Sequence, residues 1–143
     1  MLLSGDPYDL DRFVRAQSTE YDRAISELRD GRKQTHWMWY VFPQIDGLGT
    51  SPMAHRYSIK SADEARAYLD HPVLGPRLRE CVAVVNDIVG RSAFEIFGSP
   101  DDLKLHSCAT LFGRVSEEDA FDQLLRKYFE GEPDSETLSR LRE

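Results

Sequence analysis

Residues 73–89, with the sequence VLGPRLRECVAVVNDIV, carry the clearest fold signal in the chain. Apolar side chains recur here at the three- and four-residue spacing that places them on one face of an α-helix. The members of this face are Leu74, Leu78, Cys81, Val82, Val85, Ile88 and Val89. Gly90 follows directly and predicts the end of the helix. The stretch therefore predicts a long helix with a broad buried face.

Further helices are predicted on both sides of this stretch. Ser61-Ala62-Asp63-Glu64 and Ser92-Ala93-Phe94-Glu95 both show the Ser-x-x-Glu pattern of a capping box, in which the serine and glutamate side chains bind the free amides of a helix start. Toward the N-terminus, Asp6-Pro7 is a favourable helix opening, and Gly31 predicts where that helix ends.

The C-terminal third continues in the same way, with helices predicted over about 100–113, 116–131 and 134–141. Few segments alternate with the period of two that strands require, so we expect at most a short extended piece at Tyr57–Ile59. The predicted fold is all-α. We expect one compact orthogonal domain of about seven helices spanning residues 1–143.

Composition restricts the possible functions. The 143 residues include 18 basic and 25 acidic side chains, which gives a net charge of −7. This charge disfavours general binding to nucleic acid and to anionic lipid. No apolar run is long enough to span a bilayer, and residues 1–6 do not have the pattern of a signal peptide. Cys81 and Cys108 are predicted to be buried thiols, so we expect a cytoplasmic protein.

The segment from Thr35 to Gln44 differs from the rest of the chain because both tryptophans, Trp37 and Trp39, fall within it. Such an aromatic block is usually core. It is also a suitable wall for a planar ligand, since aromatic faces stack on rings and attract cations. His36 and Gln44 are the polar contacts that this second interpretation assigns.

A second candidate region is the predicted helix after Pro100. Lys104 shares a helical stripe with core residues, and Asp101 lies three positions earlier as a possible partner. Ser107 and Thr110 are three residues apart, so both hydroxyls face the same side. The alternative interpretation is structural: a lysine in a salt bridge, and hydroxyls bonded to the preceding helical turn.

Other chemistry has little support in the sequence. The four histidines show no ligand-like spacing with each other or with the cysteines, so no metal site is predicted, and no cofactor motif is present. Two functional hypotheses remain. The first is a pocket for a small anionic or nucleotide-like metabolite, formed where His36–Gln44 meets Asp102–Phe112, with or without catalysis. The second is a non-catalytic protein-interaction module or oligomer that uses exposed aromatic anchors. The oligomeric state stays open.

Several of these segments together resemble a known family. They are the opening DPYDLDRF at residues 6–13, Gln17 and Tyr21, HWMWYVFPQ at 36–44, GLG at 47–49, AHRY at 54–57, HPVLGPRL at 71–78 and IFGSPDD at 96–102. They are similar to the bacterial domain-of-unknown-function family 1810, and the resemblance extends over nearly the whole chain.

The resemblance implies an all-helical fold, like that of a small mycobacterial protein of unknown function. The resemblance assigns no catalytic residue. Members are often labelled calpastatin, which does not suit this chain because calpastatins are long disordered inhibitors. Family members often have Arg-Ser-Ser where this chain has His106-Ser107-Cys108. The difference favours Lys104, Ser107 and Thr110 over His106 and Cys108 as site residues.

Overall fold

A computed structural model describes residues 6–141, and within them every regular element is an α-helix. The predicted all-α class is confirmed. The helices are α1 (Asp11–Ser18), α2 (Tyr21–Arg29), α3 (Met38–Val41), α4 (Pro52–Arg56), α5 (Ala62–Asp70), α6 (Leu74–Asp87), α7 (Ala93–Phe97), α8 (Asp101–Val115), α9 (Asp119–Phe129) and α10 (Ser135–Leu141). The signal-peptide expectation was drawn from residues 1–6, of which residues 1–5 lie outside this description.

Helix α8 lies at the centre of the packing, in contact with α5, α7, α9 and α10, while α6 packs against α2, α5 and α9. Their facing side chains form one hydrophobic cluster. Its largest fully buried members include Trp37, Tyr68, Phe13, Phe42, Phe112 and Phe121. Burial of apolar surface contributes roughly 25 cal/mol per Å² and is the main stabilising term for these short helices.

The count of about seven helices becomes ten among the described residues, for two reasons. The first predicted helix is divided at Thr19–Glu20 into α1 and α2. Ser18 lies at this break, where its hydroxyl donates a hydrogen bond to the Arg15 carbonyl, a local bond that competes with continued helix. In addition, the short helices α3 and α4 form within segments for which no helix was assigned.

The end of α6 also differs from the prediction. The helix stops at Asp87, and Val89 is 87% exposed, so its assignment to the buried face was wrong. The reason is tertiary. The Lys127 ammonium on α9 binds the carbonyls of Asn86 and Ile88, and the backbone turns extended at Ile88. A basic group at helix C-terminal carbonyls is a favourable cap.

The predicted extended piece is confirmed as a single parallel bridge between Ile45 and Ile59. Its hydrogen bonds run from the Ile59 amide to the Gln44 carbonyl (2.9 Å) and from the Asp46 amide to the Ile59 carbonyl (2.8 Å). The bridge holds the loop after α3 against the segment before α5.

Of the two predicted capping boxes, the one at Ser92–Glu95 is confirmed in full. At α5 only half of the box forms. The Ser61 hydroxyl accepts from the Glu64 amide at 3.1 Å. The Glu64 carboxylate, however, accepts from the Lys60 backbone amide and the Arg12 guanidinium instead of the Ser61 amide. Glu64 is 1% exposed, and its charge is matched by the Arg12 guanidinium at 2.9 Å. A buried ion pair has replaced a local cap.

Candidate functional site: a cationic groove

A groove of about 410 Å³ lies between the segment after α2 and helix α7. We call it the cationic groove; its lining consists of Arg32, Lys33, Arg91, Phe94, Glu95, Ile96, Phe97 and Gly98. Three of these eight residues are basic and one is acidic. In a chain of net charge −7 this is an unusual local excess of positive charge.

The two walls of the groove are joined by main-chain contacts. The Lys33 amide donates to the Ile96 carbonyl at 2.7 Å. Gly31, at φ +77°, lets the chain turn beside Arg91, and a Cβ at this position would lie 3.3 Å from the Arg91 Nε. Glycine therefore serves both the left-handed turn and the close approach. The backbone next to Arg32 is thereby joined to the wall formed by α7, and Gly31 lies beside the Arg91 side chain.

Helix α7, which forms one wall of the groove, is held in place by its cap and by its buried face. Its capping box is complete: the Glu95 amide donates to the Ser92 hydroxyl at 3.1 Å, and the Ser92 amide donates to the Glu95 carboxylate at 2.8 Å. Ala93, Ile96 and Phe97 are buried on its inner face. Phe94 points the other way and is 62% exposed at the groove.

The cations at the groove are only partly neutralised. Within residues 6–141, neither Arg32 nor Arg91 makes an ion pair or a side-chain hydrogen bond to another residue. Lys33 pairs with Asp101 at 2.8 Å, and Lys104 pairs with the other oxygen of the same carboxylate at 3.3 Å. The lining itself carries three basic groups and one carboxylate, Glu95, and the adjoining Asp101 and Lys104 cancel each other in charge, which leaves a formal surplus of two positive charges.

Both lysines lie over indole rings. The Lys33 Nζ is 5.2 Å from the Trp37 ring centroid, and the Lys104 Nζ is 4.9 Å from the Trp39 centroid. The Lys33 side chain is only 7% exposed, so its charge depends on Asp101 and on the indole face for stabilisation.

The sequence-predicted site residues are distributed among several places. Trp39 and Lys104 do meet, as the hypothesis of a site between the aromatic block and the helix after Pro100 requires. The predicted pairing of Lys104 with Asp101 is confirmed. Trp37 is fully buried, which bears out its interpretation as core, and its indole Nε1 donates to Glu27 at 2.9 Å.

His36 lies in a different groove, with Thr19, Tyr40 and Tyr57 among its neighbours. His36 is exposed, and its ring makes no hydrogen bond to the described residues. The Gln44 side chain is half-buried close to Gly49, and its carbonyl belongs to the bridge with Ile59.

Ser107 and Thr110 are occupied by structural hydrogen bonds. Their hydroxyls donate to the carbonyls of Leu103 (3.2 Å) and His106 (2.9 Å), as the structural interpretation predicted. They also hold the segment before α10: the Ser107 proton is shared between the Leu103 carbonyl and the Asp134 carboxylate, and Thr110 accepts from the Asp134 amide. Because both hydroxyls are engaged in structural hydrogen bonds, the ligand site that we propose does not include them.

Three groove residues, Arg32, Arg91 and Phe94, were missed by the sequence reasoning. Phe94 is the third residue of the Ser92–Glu95 capping box. This pattern predicts the helix start but says nothing about the role of the Phe94 side chain. The arginines lie next to helix-ending glycines, in segments that carry no motif. The available signal was the adjacent basic pair Arg32 and Lys33.

Thiol chemistry and metal binding have no structural basis in the part of the chain described. Burial raises the pKa of Cys81 to about 12 and that of Cys108 well above the ordinary thiol value, so neither forms a thiolate at neutral pH. Residues 6–141 contain no cluster of three or more histidine, cysteine or carboxylate side chains arranged to hold a metal ion.

The chain belongs to the family of proteins of unknown function DUF1810, whose model matches residues 7–141. A solved relative is the conserved hypothetical protein Rv1873 from Mycobacterium tuberculosis, whose crystal structure was determined at 1.38 Å. It is 55% identical, the match covers 95% of this chain and 98% of that chain, and the TM-score is 0.94. No curated protein matches the chain. None of the helices described is long and apolar enough to cross a membrane.

Proposed function

We propose that the chain binds a small anionic ligand, phosphorylated or otherwise multiply charged, in the cationic groove. The observation that carries this proposal is the pair Arg32 and Arg91, which border one groove without a carboxylate partner among residues 6–141. Arginine binds phosphate and carboxylate groups through two parallel N–H donors.

Lys33, which lines the groove, and Lys104, which shares its Asp101 partner, add further positive charge to this site. Asp101 neutralises one of these two charges in the unliganded protein. A multiply charged anion at the groove then interacts with Arg32, with Arg91 and with the one net positive charge of the Lys33–Asp101–Lys104 group. The buried position of Lys33 strengthens this interaction because it is less screened by solvent. We expect this site to operate in the cytoplasm, since both cysteines are buried free thiols.

A thermal-shift titration with inorganic pyrophosphate at low salt tests the proposal. A ligand at 100 times its Kd adds about 2.7 kcal/mol of stability, which for this chain length raises Tm by roughly 5–10 °C. We expect the double variant Arg32→Ala/Arg91→Ala to lose most of this shift. Arg114→Ala is the matched control: Arg114 is also exposed without an ion pair among the described residues, but lines another groove.

Asp101→Asn gives a change of opposite sign in the same titration. Removing this carboxylate lowers the Tm of the unliganded protein, because the buried Lys33 ammonium and the largely buried Lys104 ammonium lose their partner. It also frees Lys33, so the shift produced by pyrophosphate increases. A wild-type protein with no shift, or an equal loss in Arg114→Ala and in the double variant, contradicts the proposal.

The alternative function, a protein-interaction module, draws support from Val89 and Phe94, two exposed apolar side chains within three residues of Arg91 in the sequence. Exposed apolar anchors beside arginines are typical of binding surfaces for proteins. If this face binds a second copy of the chain, light scattering shows a dimer whose dissociation constant increases on Phe94→Ala. A monomer at all accessible concentrations excludes self-association through this face.

A further inference from the structure

Phe94 is the exception among the seven phenylalanines of the chain. Five are buried, Phe129 is half-buried, and Phe94 alone is exposed. An aromatic ring left in water contributes little to folding, because the hydrophobic effect acts through surface removed from water. Since Phe94 lies in the cationic groove, its ring is available to a ligand held there.

The ring is also presented by a rigid element. The capping box fixes the start of α7, and the buried Ala93, Ile96 and Phe97 anchor its inner face. The Lys33–Ile96 main-chain bond fixes the opposite wall at 2.7 Å. A pre-organised surface of this kind loses little conformational entropy when a ligand binds.

We propose that the ligand of the cationic groove is a nucleoside phosphate, with its base stacked on Phe94 and its phosphate between Arg32 and Arg91. This inference rests on the proposed function and names the ligand class. Stacking on an aromatic side chain tolerates any base, because every base has a π-face. The groove volume of about 410 Å³ lies within the range of pockets that bind small molecules.

A free nucleotide fits the charge distribution better than a nucleic-acid strand. The net charge of −7 repels a long phosphate backbone, whereas a single phosphate interacts mainly with the local surplus of two positive charges. Glu95, which also lines the groove, is occupied at the α7 cap by the Ser92 amide.

Calorimetric titration of the full chain with adenosine 5′-monophosphate, inorganic phosphate and inorganic pyrophosphate tests this inference. We expect the nucleotide to bind at least about fivefold more tightly than inorganic phosphate, the lower limit for one stacked base. Phe94→Leu keeps an apolar side chain but removes the ring face. It should abolish this advantage and leave pyrophosphate affinity unchanged. Leu103→Ala, at an exposed apolar position outside the lining of the groove, is the matched control.

The outcomes separate the two proposals. If pyrophosphate fails to bind the wild type, the proposed function fails, and this inference fails with it. If pyrophosphate binds but the nucleotide has no advantage over phosphate, or keeps its advantage in Phe94→Leu, only the stacking inference is overturned. A short single-stranded oligonucleotide that binds more than about tenfold more tightly than the nucleotide also overturns it, in favour of a strand. Unchanged Tm values confirm that both variants are folded.

Discussion

At the scale of single residues, Glu27 shows how one buried carboxylate organises the aromatic segment. Its oxygens accept from the Gln34 amide (2.7 Å), the Thr35 amide (3.0 Å), the Thr35 hydroxyl (2.7 Å) and the Trp37 indole (2.9 Å). Burial raises the pKa of Glu27, but these hydrogen bonds from Thr35, Gln34 and Trp37 together hold it below its ordinary value of 4.5.

Stability is therefore expected to depend on the ionisation of Glu27. A carboxyl whose pKa is lowered by folding stabilises the protein above its unfolded pKa, and this contribution is lost as pH falls through the folded pKa. We predict that Glu27→Gln lowers the free energy of unfolding by about 1–3 kcal/mol at neutral pH, because the charge is lost and an NH₂ group that cannot accept replaces one of the two acceptor oxygens. The difference from wild type should shrink as pH falls below 4.5.

Urea unfolding followed by tryptophan fluorescence measures this difference across the acid range. Glu117→Gln is the control, since Glu117 is exposed and accepts no side-chain hydrogen bond within the described residues. Other carboxylates with lowered pKa values, such as Asp46 and Glu118, affect wild type and variant equally. A gap between the two proteins that stays constant with pH would show that ionisation of Glu27 is not involved.

At the scale of elements, the final helix α10 depends on a polar attachment. The Asp134 carboxylate accepts from the Thr137 amide at 3.0 Å and from the Thr137 hydroxyl at 2.6 Å, which caps the helix start. The Ser107 hydroxyl donates to the same carboxylate at 3.3 Å. A helix of seven residues has no stability of its own, so these bonds and the contacts with α8 decide whether it forms.

We predict that Asp134→Ala opens α10 locally and leaves the rest of the protein folded. Loss of an N-cap costs about 1 kcal/mol, which corresponds to roughly fivefold faster amide hydrogen exchange in residues 138–141. Exchange in α6 and at the centre of α8 should stay unchanged. Ser139→Ala, on the exposed side of α10, serves as the control. Equal exchange in Asp134→Ala and wild type would mean that apolar contacts alone hold the helix.

At the scale of the whole molecule, Arg12 joins segments that are far apart in the sequence. Its guanidinium donates to the carbonyls of Tyr8, Asp9, Arg56 and Ser58 and to the Glu64 carboxylate. All of its donor nitrogens are thereby occupied, so Arg12 is structural although it borders a groove of about 480 Å³. The N-terminal segment, the end of α4 and α5 are held together at this point.

Arg12→Met is predicted to lower the free energy of unfolding by about 3–5 kcal/mol, because it leaves the buried Glu64 charge without a partner. This is a large fraction of the roughly 5–15 kcal/mol that stabilises a typical domain. Chemical denaturation measures the loss. Arg66→Met, which removes an exposed pair with Asp63, should cost less than about 1 kcal/mol. Similar values for the two variants would contradict a central role for Arg12.

Much of the fold was readable from local sequence, and the limits have physical causes. The long helices, the Ser92–Glu95 cap and the burial of Trp37 depend on patterns within a few residues, so they were predicted. The early end of α6 depends on Lys127, about forty positions away, which no local pattern contains. The pairing of Glu64 with Arg12, which replaces a capping box, has the same kind of cause.

The candidate site follows the same division. The sequence by itself determined an acidic all-helical protein of this family, with a buried aromatic block and a lysine paired with Asp101. Only the tertiary structure brought Arg32 and Lys33 beside Arg91 and Phe94, because a main-chain bond from Lys33 to Ile96 joins two segments more than sixty residues apart. Local periodicity fixes which faces of the helices are buried. The charges that meet in a groove are decided by long-range packing.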